Sequence, residues 1–312
     1  MEAVRCQGLT RHYGDVTALD GLDLIVKENI IFGFLGPNGA GKTTTVKMLT
    51  GLSLPSAGKA WVAGEEVKPD ATSLRAKIGY LPDVPAFYSW MTGREFLRFV
   101  GEIHRLPPRE ISLRCDELLE LVDLQSVAKR KVGGYSRGMK QRLGIAQALV
   151  NHPRVLFMDE PTSALDPMGR RDVLSLIQRL ASETTIFMST HILSDVERVC
   201  DVVAIINRGK LVTESSVEEL RHRYARSVIE LEFEEEPASL VARLESIPWV
   251  ARVETVTVND APAVRVQARD IKKAKIELPK IVTASGLTLL RYELTLPSIE
   301  DIFVELVADE GK

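Results

Sequence analysis

Apolar and polar positions divide the chain into two textures. Up to about residue 220, short apolar runs alternate with stretches of helical spacing. Val26 to Leu35 reads as a strand, followed by a glycine-rich segment and a helix from about Lys42. Val155-Leu156-Phe157-Met158, Thr184 to Met188 and Asp201 to Ile206 are further strand-like runs, apolar throughout or nearly so. Strands that are apolar on both sides belong to a sheet covered on both sides, so this part is expected to be an α/β domain with a largely parallel sheet. From about Ser227 the period changes. Val228 to Phe233, Val253 to Val258 and Ala263 to Ala268 alternate with period two, the last two split by the turn residues Asn259-Asp260-Ala261-Pro262. Pro237 to Ile247 has helical spacing, and Asp270 caps a second helix expected to run to about Ala284 with an interruption at Pro279. Leu287 to Leu294 closes the set as a strand, and a last helix is expected from Ser298 to about Ala308, opened by Ser298-Ile299-Glu300-Asp301. The order strand-helix-strand-strand-helix-strand is that of a ferredoxin-like α+β unit. The boundary falls near 220–226, giving domains 1–222 and 223–312.

Composition narrows the function classes. The chain has 312 residues, enough for two cores without metals or disulfides. Forty Lys and Arg against 43 Asp and Glu leave a net charge of −3, which argues against a nucleic-acid binder or a polybasic membrane anchor. No apolar run approaches the roughly 18 residues needed to span a bilayer. Met1 to Cys6 lacks the apolar core of a secretory signal. Cys6, Cys115 and Cys200 are far apart and show no CxxC spacing, so reduced thiols in a cytosolic protein are expected.

The chemistry is concentrated in two places. Gly36-Pro37-Asn38-Gly39-Ala40-Gly41-Lys42-Thr43 fits GxxxxGK[ST] between a strand and a helix. Its glycines let backbone N–H groups wrap a phosphate chain, and the helix N-terminus adds partial positive charge. Lys42 is placed for the β- and γ-phosphates and Thr43 for Mg²⁺, with the loop residues Pro37 to Thr44 around the nucleotide. The strand Val155 to Met158 delivers Asp159 and Glu160 to its C-terminal edge, where phosphate ligands of α/β sheets bind. Asp159 is expected to hold Mg²⁺ and Glu160 to deprotonate or orient the attacking water. Adjacent strand residues point to opposite faces, so the two carboxylates need not share a task.

With these residues in hand, the chain resembles the ATP-binding-cassette (ABC) ATPases. Tyr135-Ser136-Arg137-Gly138-Met139-Lys140-Gln141-Arg142 resembles the family's signature segment, although only Ser136 and Gly138 match its usual LSGGQ core. Ser163-Ala164-Leu165-Asp166 resembles the D-loop, His191 the switch histidine and Tyr13 the aromatic that stacks on adenine. Where the family usually has a Gln that touches metal-bound water, this chain has Asp83, which accepts but cannot donate as an amide does. His12, His104, His152 and His222 match no motif.

The resemblance implies a P-loop NTPase ABC cassette with a helical signature subdomain at about 84–150, followed by the small C-terminal domain. It implies ATP and Mg²⁺ as ligands. Two cassettes, identical or related, would close head to tail around two ATP, with Ser136, Arg137, Gly138, Met139 and Asp166 of one facing the nucleotide of the other. The glutamate Glu160, with His191 and Asp83, would serve hydrolysis. Leu296 to Phe303 resembles the ending of exporter ATPases, so separate transmembrane permease subunits are the expected partners, at the cytoplasmic face of the membrane. The aromatic segment Val84 to Met91 is a plausible dock for them. The alternative is a non-transport ABC ATPase acting on ribosomes or DNA. It fits less well, because the chain has one cassette, no sustained heptads and no basic arm.

Overall fold

The computed structural model describes residues 1–69, 71–163, 165–223, 228–258, 261–295, 299–300, 302–303 and 306. The chain divides into two compact units, Met1–Val217 and Glu218–Lys312. The expected division at 222/223 falls instead at the end of the helix that follows residue 216.

The first unit runs β1 (Glu2–Tyr13), β2 (Val16–Lys27), β3 (Ile31–Leu35), α1 (Lys42–Leu49), β4 (Ala57–Val62), β5 (Glu65–Glu66), α2 (Thr72–Lys77) and β6 (Ile78–Leu81). It continues with α3 (Gly93–Ile103), α4 (Pro108–Leu121), α5 (Arg137–Ala148), β7 (Val155–Asp159), α6 (Pro167–Leu180), β8 (Thr185–Thr190), α7 (Leu193–Val199), β9 (Val202–Asn207) and β10 (Lys210–Ser216). Its main sheet has the order β10-β9-β3-β8-β7-β6. All pairs are parallel except β9 with β10. Every residue of β3, β7 and β8 is buried, as the unbroken apolar runs require.

A second, antiparallel sheet of order β2-β1-β4-β5 was not legible in the apolar runs. Val26 to Leu35 is not one strand. Asn29 turns the chain at φ +60°, so Val26 belongs to the antiparallel sheet and Ile31 to Leu35 to the parallel one. The two sheets and α1 share one core, in which Phe187 packs against Phe32, Phe34 and Phe157 with ring centroids 5.2, 5.4 and 5.4 Å apart.

After α8 (Val217–Arg223), the second unit comprises β11 (Val228–Phe233), α9 (Ala238–Glu245), β12 (Val250–Val258), β13 (Ala261–Ala268), α10 (Ile271–Thr283) and β14 (Leu289–Thr295). Its antiparallel sheet has the order β12-β13-β11-β14, and Leu240, Leu244, Leu278 and Val282 of the two helices pack on Ile229, Leu231, Val264 and Val266. Asp270 caps α10 by accepting from the Lys273 N–H at 3.1 Å. Pro279 does not interrupt α10, which continues to Thr283; the Thr283 hydroxyl bonds back to the Pro279 carbonyl at 2.8 Å. Val258 pairs with Ala261, so Ala261 and Pro262 are already strand, while Asn259 and Asp260 lie outside the described residues. The expected final helix and the Leu296 to Phe303 segment fall largely outside them too, as does Ala164.

Candidate functional site

The loop between β3 and α1 is held by close backbone packing. A Cβ on Gly36 would lie 2.4 Å from the Ile206 carbonyl oxygen, and one on Gly41, whose φ is +107°, would lie 2.4 Å from that of Ala18. Main-chain bonds add a brace: Asp20 N–H donates to the Gly209 carbonyl at 2.9 Å, and Gly209 N–H to the Ala40 carbonyl at 3.0 Å. Gly41 is the N-cap of α1 and has no side chain to close it, leaving the first turn's N–H groups and the dipole directed at an anion. Lys42 Nζ is buried. It donates to the carbonyls of Gly36 at 2.8 Å and Pro37 at 3.3 Å, and stands 3.4 Å from Glu160 Oε1.

Asp159 ends β7 and is 2 % exposed. Its Oδ1 accepts from Ser189 Oγ at 2.5 Å and from Thr43 Oγ1 at 3.3 Å. Burial raises its carboxyl above the ordinary aspartate range; the bonds from Ser189 and Thr43 oppose this, and the charges of Glu160 and Asp83 add to it. The Tyr80 phenol on neighbouring β6 is pushed up to about 12, first by burial and then by Asp159 and Asp83. A hard carboxylate oxygen, a threonine hydroxyl and an adjacent cradle for phosphates form the donor set Mg²⁺ uses in nucleotide sites, so these residues fit that ion.

Glu160 lies just past the strand, at φ +49°, a conformation uncommon for a residue with a side chain. That turn, rather than strand alternation, sets its direction. Its N–H donates to the Ser189 carbonyl at 2.9 Å, and its Oε2 lies 2.9 Å from His191 Nδ1. The carboxylate therefore bridges Lys42 and His191. The Ser163 hydroxyl is 3.2 Å from both Asp83 Oδ1 and the Glu160 carbonyl, tying Asp83 to the same loop. The structure thus brings Lys42, Thr43, Asp83, Asp159, Glu160 and His191 together.

Four supporting residues were not found by reading the sequence. Ser189 holds Asp159. Asp195, 1 % exposed at the start of α7, accepts from the Thr162 hydroxyl and, at 2.5 Å, from Arg170 Nε. This group clamps the loop after Glu160 to the helix after His191. No spacing rule links these positions, which lie on three separate segments.

Tyr13 closes β1 with its ring half-exposed and the Arg11 guanidinium 4.6 Å from its centroid. Its hydroxyl is lowered chiefly by a hydrogen bond with Ser53, with smaller contributions from Arg11 and Thr44, so it borders the phosphate loop. Ser136 caps α5, accepting from Met139 N–H at 3.2 Å, with Arg137 and Gly138 in the first turn between them. Asp166 caps α6, accepting from Gly169 N–H at 2.9 Å. The Leu165 side chain lies 3.9 Å from where a Gly138 Cβ would stand. Among the described residues neither cap is hydrogen-bonded to the Lys42–Asp159–Glu160–His191 group. In the segment after Asp83, Phe87 packs edge-on against Phe96 of α3, while Tyr88 and Trp90 are exposed.

Residues 19–163 match the ABC transporter family, and residues 216–307 match the C-terminal domain of DrrA1-3-like ATP-binding proteins. The chain is 40 % identical over 301 residues to the uncharacterised ABC transporter ATP-binding protein YxlF of Bacillus subtilis (strain 168), covering 96 % of this chain and 98 % of that one. It is 37 % identical over 306 residues to the bacitracin transport ATP-binding protein BcrA of Bacillus licheniformis, covering 97 % of each. Among solved structures, cbiO1 of Clostridium perfringens, part of the transporter complex cbiONQ, superposes with a TM-score of 0.65 at 27 % identity, over 71 % of this chain and 94 % of that one.

Proposed function

The chain belongs to the ABC transporter family as an ATP-binding ATPase subunit, and from that premise we propose that it powers an exporter by hydrolysing ATP between two cassettes. The observation that carries this reading is the Glu160 carboxylate, held between Lys42 and His191 beside the Thr43–Asp159 pair.

The γ-phosphate of ATP replaces Glu160 as the counter-charge of Lys42. Glu160 is then free to accept the proton of a water in line with that phosphate, and His191 holds the far side of the same water. Thr43 and Asp159 would hold Mg²⁺, with Asp83 beside them; the ion, when bound, neutralises charge developing on the phosphate oxygens. The backbone of Pro37 to Thr44 wraps the phosphates, and Tyr13 offers its ring to adenine. Ser136 to Met139 and Asp166 are the face offered to the nucleotide of the opposed cassette, where the α5 N-terminus meets the γ-phosphate. In this reading the signature belongs to the helical stretch 84–150 of domain 1–222.

Among the described residues no helix is long and apolar enough to cross a membrane. Separate permease subunits provide the membrane path, and the cassette sits peripherally at its cytoplasmic face. Exposed Tyr88 and Trp90 are the proposed dock for them. The full-length match to a bacitracin transport subunit supports transport over action on ribosomes or DNA.

Glu160→Gln removes the base and keeps ATP bound. Pull-down of this variant with MgATP from detergent-solubilised native membranes is expected to recover one polytopic membrane protein. Recovery of ribosomal or DNA-bound proteins alone would overturn the transport reading.

A further inference from the structure

Among the described residues, the apolar side of the second unit's sheet is buried at β11 and β13 but exposed at edge strand β14. Ile229 and Leu231 of β11 are fully buried beneath α9 and α10. Their register partners on edge strand β14, Leu294 and Tyr292, are 48 % and 37 % exposed, and Leu290 is 54 % exposed. A bulge at the β14 start sets two residues, Leu289 and Leu290, against Phe233, so the whole apolar row faces the helix side. Among the described residues nothing pairs with the outer side of β14. An exposed apolar edge strand is a template for another strand.

The charges on the opposite side of β14 say which strand fits. Arg291 and Glu293 flank Tyr292 and form an ion pair with each other. Leu290-Arg291-Tyr292-Glu293-Leu294 is self-complementary about its centre. In an antiparallel pairing of two copies centred on Tyr292, Arg291 of one copy lies opposite Glu293 of the other, twice, and Leu290 lies opposite Leu294. Glu254 and Glu230 each face Arg265, whereas Glu293 faces Glu230, a like charge. Arg291 of a second copy would set a further cation beside Glu293, in addition to Arg291 of its own strand.

We infer that β14 is a homodimerisation edge: two copies of this chain join antiparallel through residues 290–294, making one eight-stranded sheet across a two-fold axis at Tyr292. This contact needs no nucleotide and is separate from the ATP-closed cassette pairing.

The test uses the full-length chain without nucleotide. Cross-strand Cα atoms lie about 4.5–5.5 Å apart, within disulfide reach, so Tyr292→Cys is expected to cross-link to itself under mild oxidation. The native Cys6, Cys115 and Cys200 are buried and give a low background. Ile276→Cys, exposed on α10, stays uncross-linked and controls for random collision. By sedimentation, Arg291→Glu and Glu293→Arg each weaken the nucleotide-free dimer about tenfold, and the double swap restores it. A wild-type monomer at micromolar concentration, or a double swap no better than either single change, would overturn the inference, as would equal cross-linking of the α10 control.

Discussion

The Glu160 carboxylate lies 3.4 Å from Lys42 Nζ on one side and 2.9 Å from His191 Nδ1 on the other. The proposed base and the proposed phosphate-binding cation neutralise one another when no phosphate is present. Glu160→Gln should therefore have two separable effects. Hydrolysis falls by about 10²–10⁴-fold, the usual worth of a positioned base. The nucleotide-free protein also loses about 1–2 kcal/mol, because the buried Lys42 ammonium keeps only its two carbonyl partners. MgATP restores the lost stability, so the ATP-induced rise in Tm should be larger in the variant than in the wild type. Differential scanning fluorimetry beside a phosphate-release assay checks both.

Asp159 has the opposite character, a carboxyl whose burial favours its protonated form. With the folded value raised, its stabilising contribution is complete below the ordinary aspartate range and is lost as pH rises through the raised value. Asp159→Asn keeps an acceptor for Ser189 and Thr43 and removes that loss. The variant should match the wild type in acid and exceed it near neutral pH by roughly 1 kcal/mol, while losing the Mg²⁺-dependent part of ATP binding. Urea unfolding measured across the acid-to-neutral range reads the first effect and calorimetry the second.

The phosphate loop should tolerate change unevenly. Gly41→Ala forces a Cβ to 2.4 Å from the Ala18 carbonyl at φ +107°, and is expected to cost more than about 2 kcal/mol and weaken ATP binding at least tenfold. Gly39→Ala, at φ +80° but facing open space, should cost about 1 kcal/mol. Thermal melts and nucleotide titration of the two variants decide it.

Asp195→Ala leaves Thr162 and Arg170 without their shared acceptor. Arg170 is 30 % exposed, so water relieves part of the loss, which should be about 2–3 kcal/mol. Because the clamp aligns Glu160 with His191 and touches no phosphate ligand, kcat should fall about tenfold with KM for ATP nearly unchanged. A KM that rises in step with the fall in kcat would contradict this role.

Residues proposed to touch phosphate or water were readable in the sequence because that chemistry demands fixed residue types at short spacings. Lys42, Thr43, Asp159 and Glu160 are of this kind. The parallel strands β7 and β8 were readable because they are buried on both sides. The antiparallel sheet was not, since β1 carries repeated register shifts that blur its alternation, and β2 ends only four residues before β3. Asn29 supplies the turn between them at φ +60°, a conformation asparagine adopts more readily than most residues, but a single Asn between two apolar runs does not by itself separate the strands. Asp195 and Ser189 were missed for a different reason. Each acts on a group distant in sequence, and a buried Asp or Ser has many possible partners until the chain is folded.

The brace under the phosphate loop is made of peptide groups: the Asp20 N–H donates to the Gly209 carbonyl and the Gly209 N–H to the Ala40 carbonyl, while the Ala18 carbonyl packs against Gly41. Main-chain bonds survive a side-chain change only where the new side chain has room: Asp20 is exposed, whereas Ala40 and Gly209 are buried. Glycine at 36 and at 41, and to a lesser degree at 209, is pinned by the space available. A substitution at exposed Asp20 should therefore leave the loop where it is, whereas a larger side chain at 40 or 209 should push it out of place.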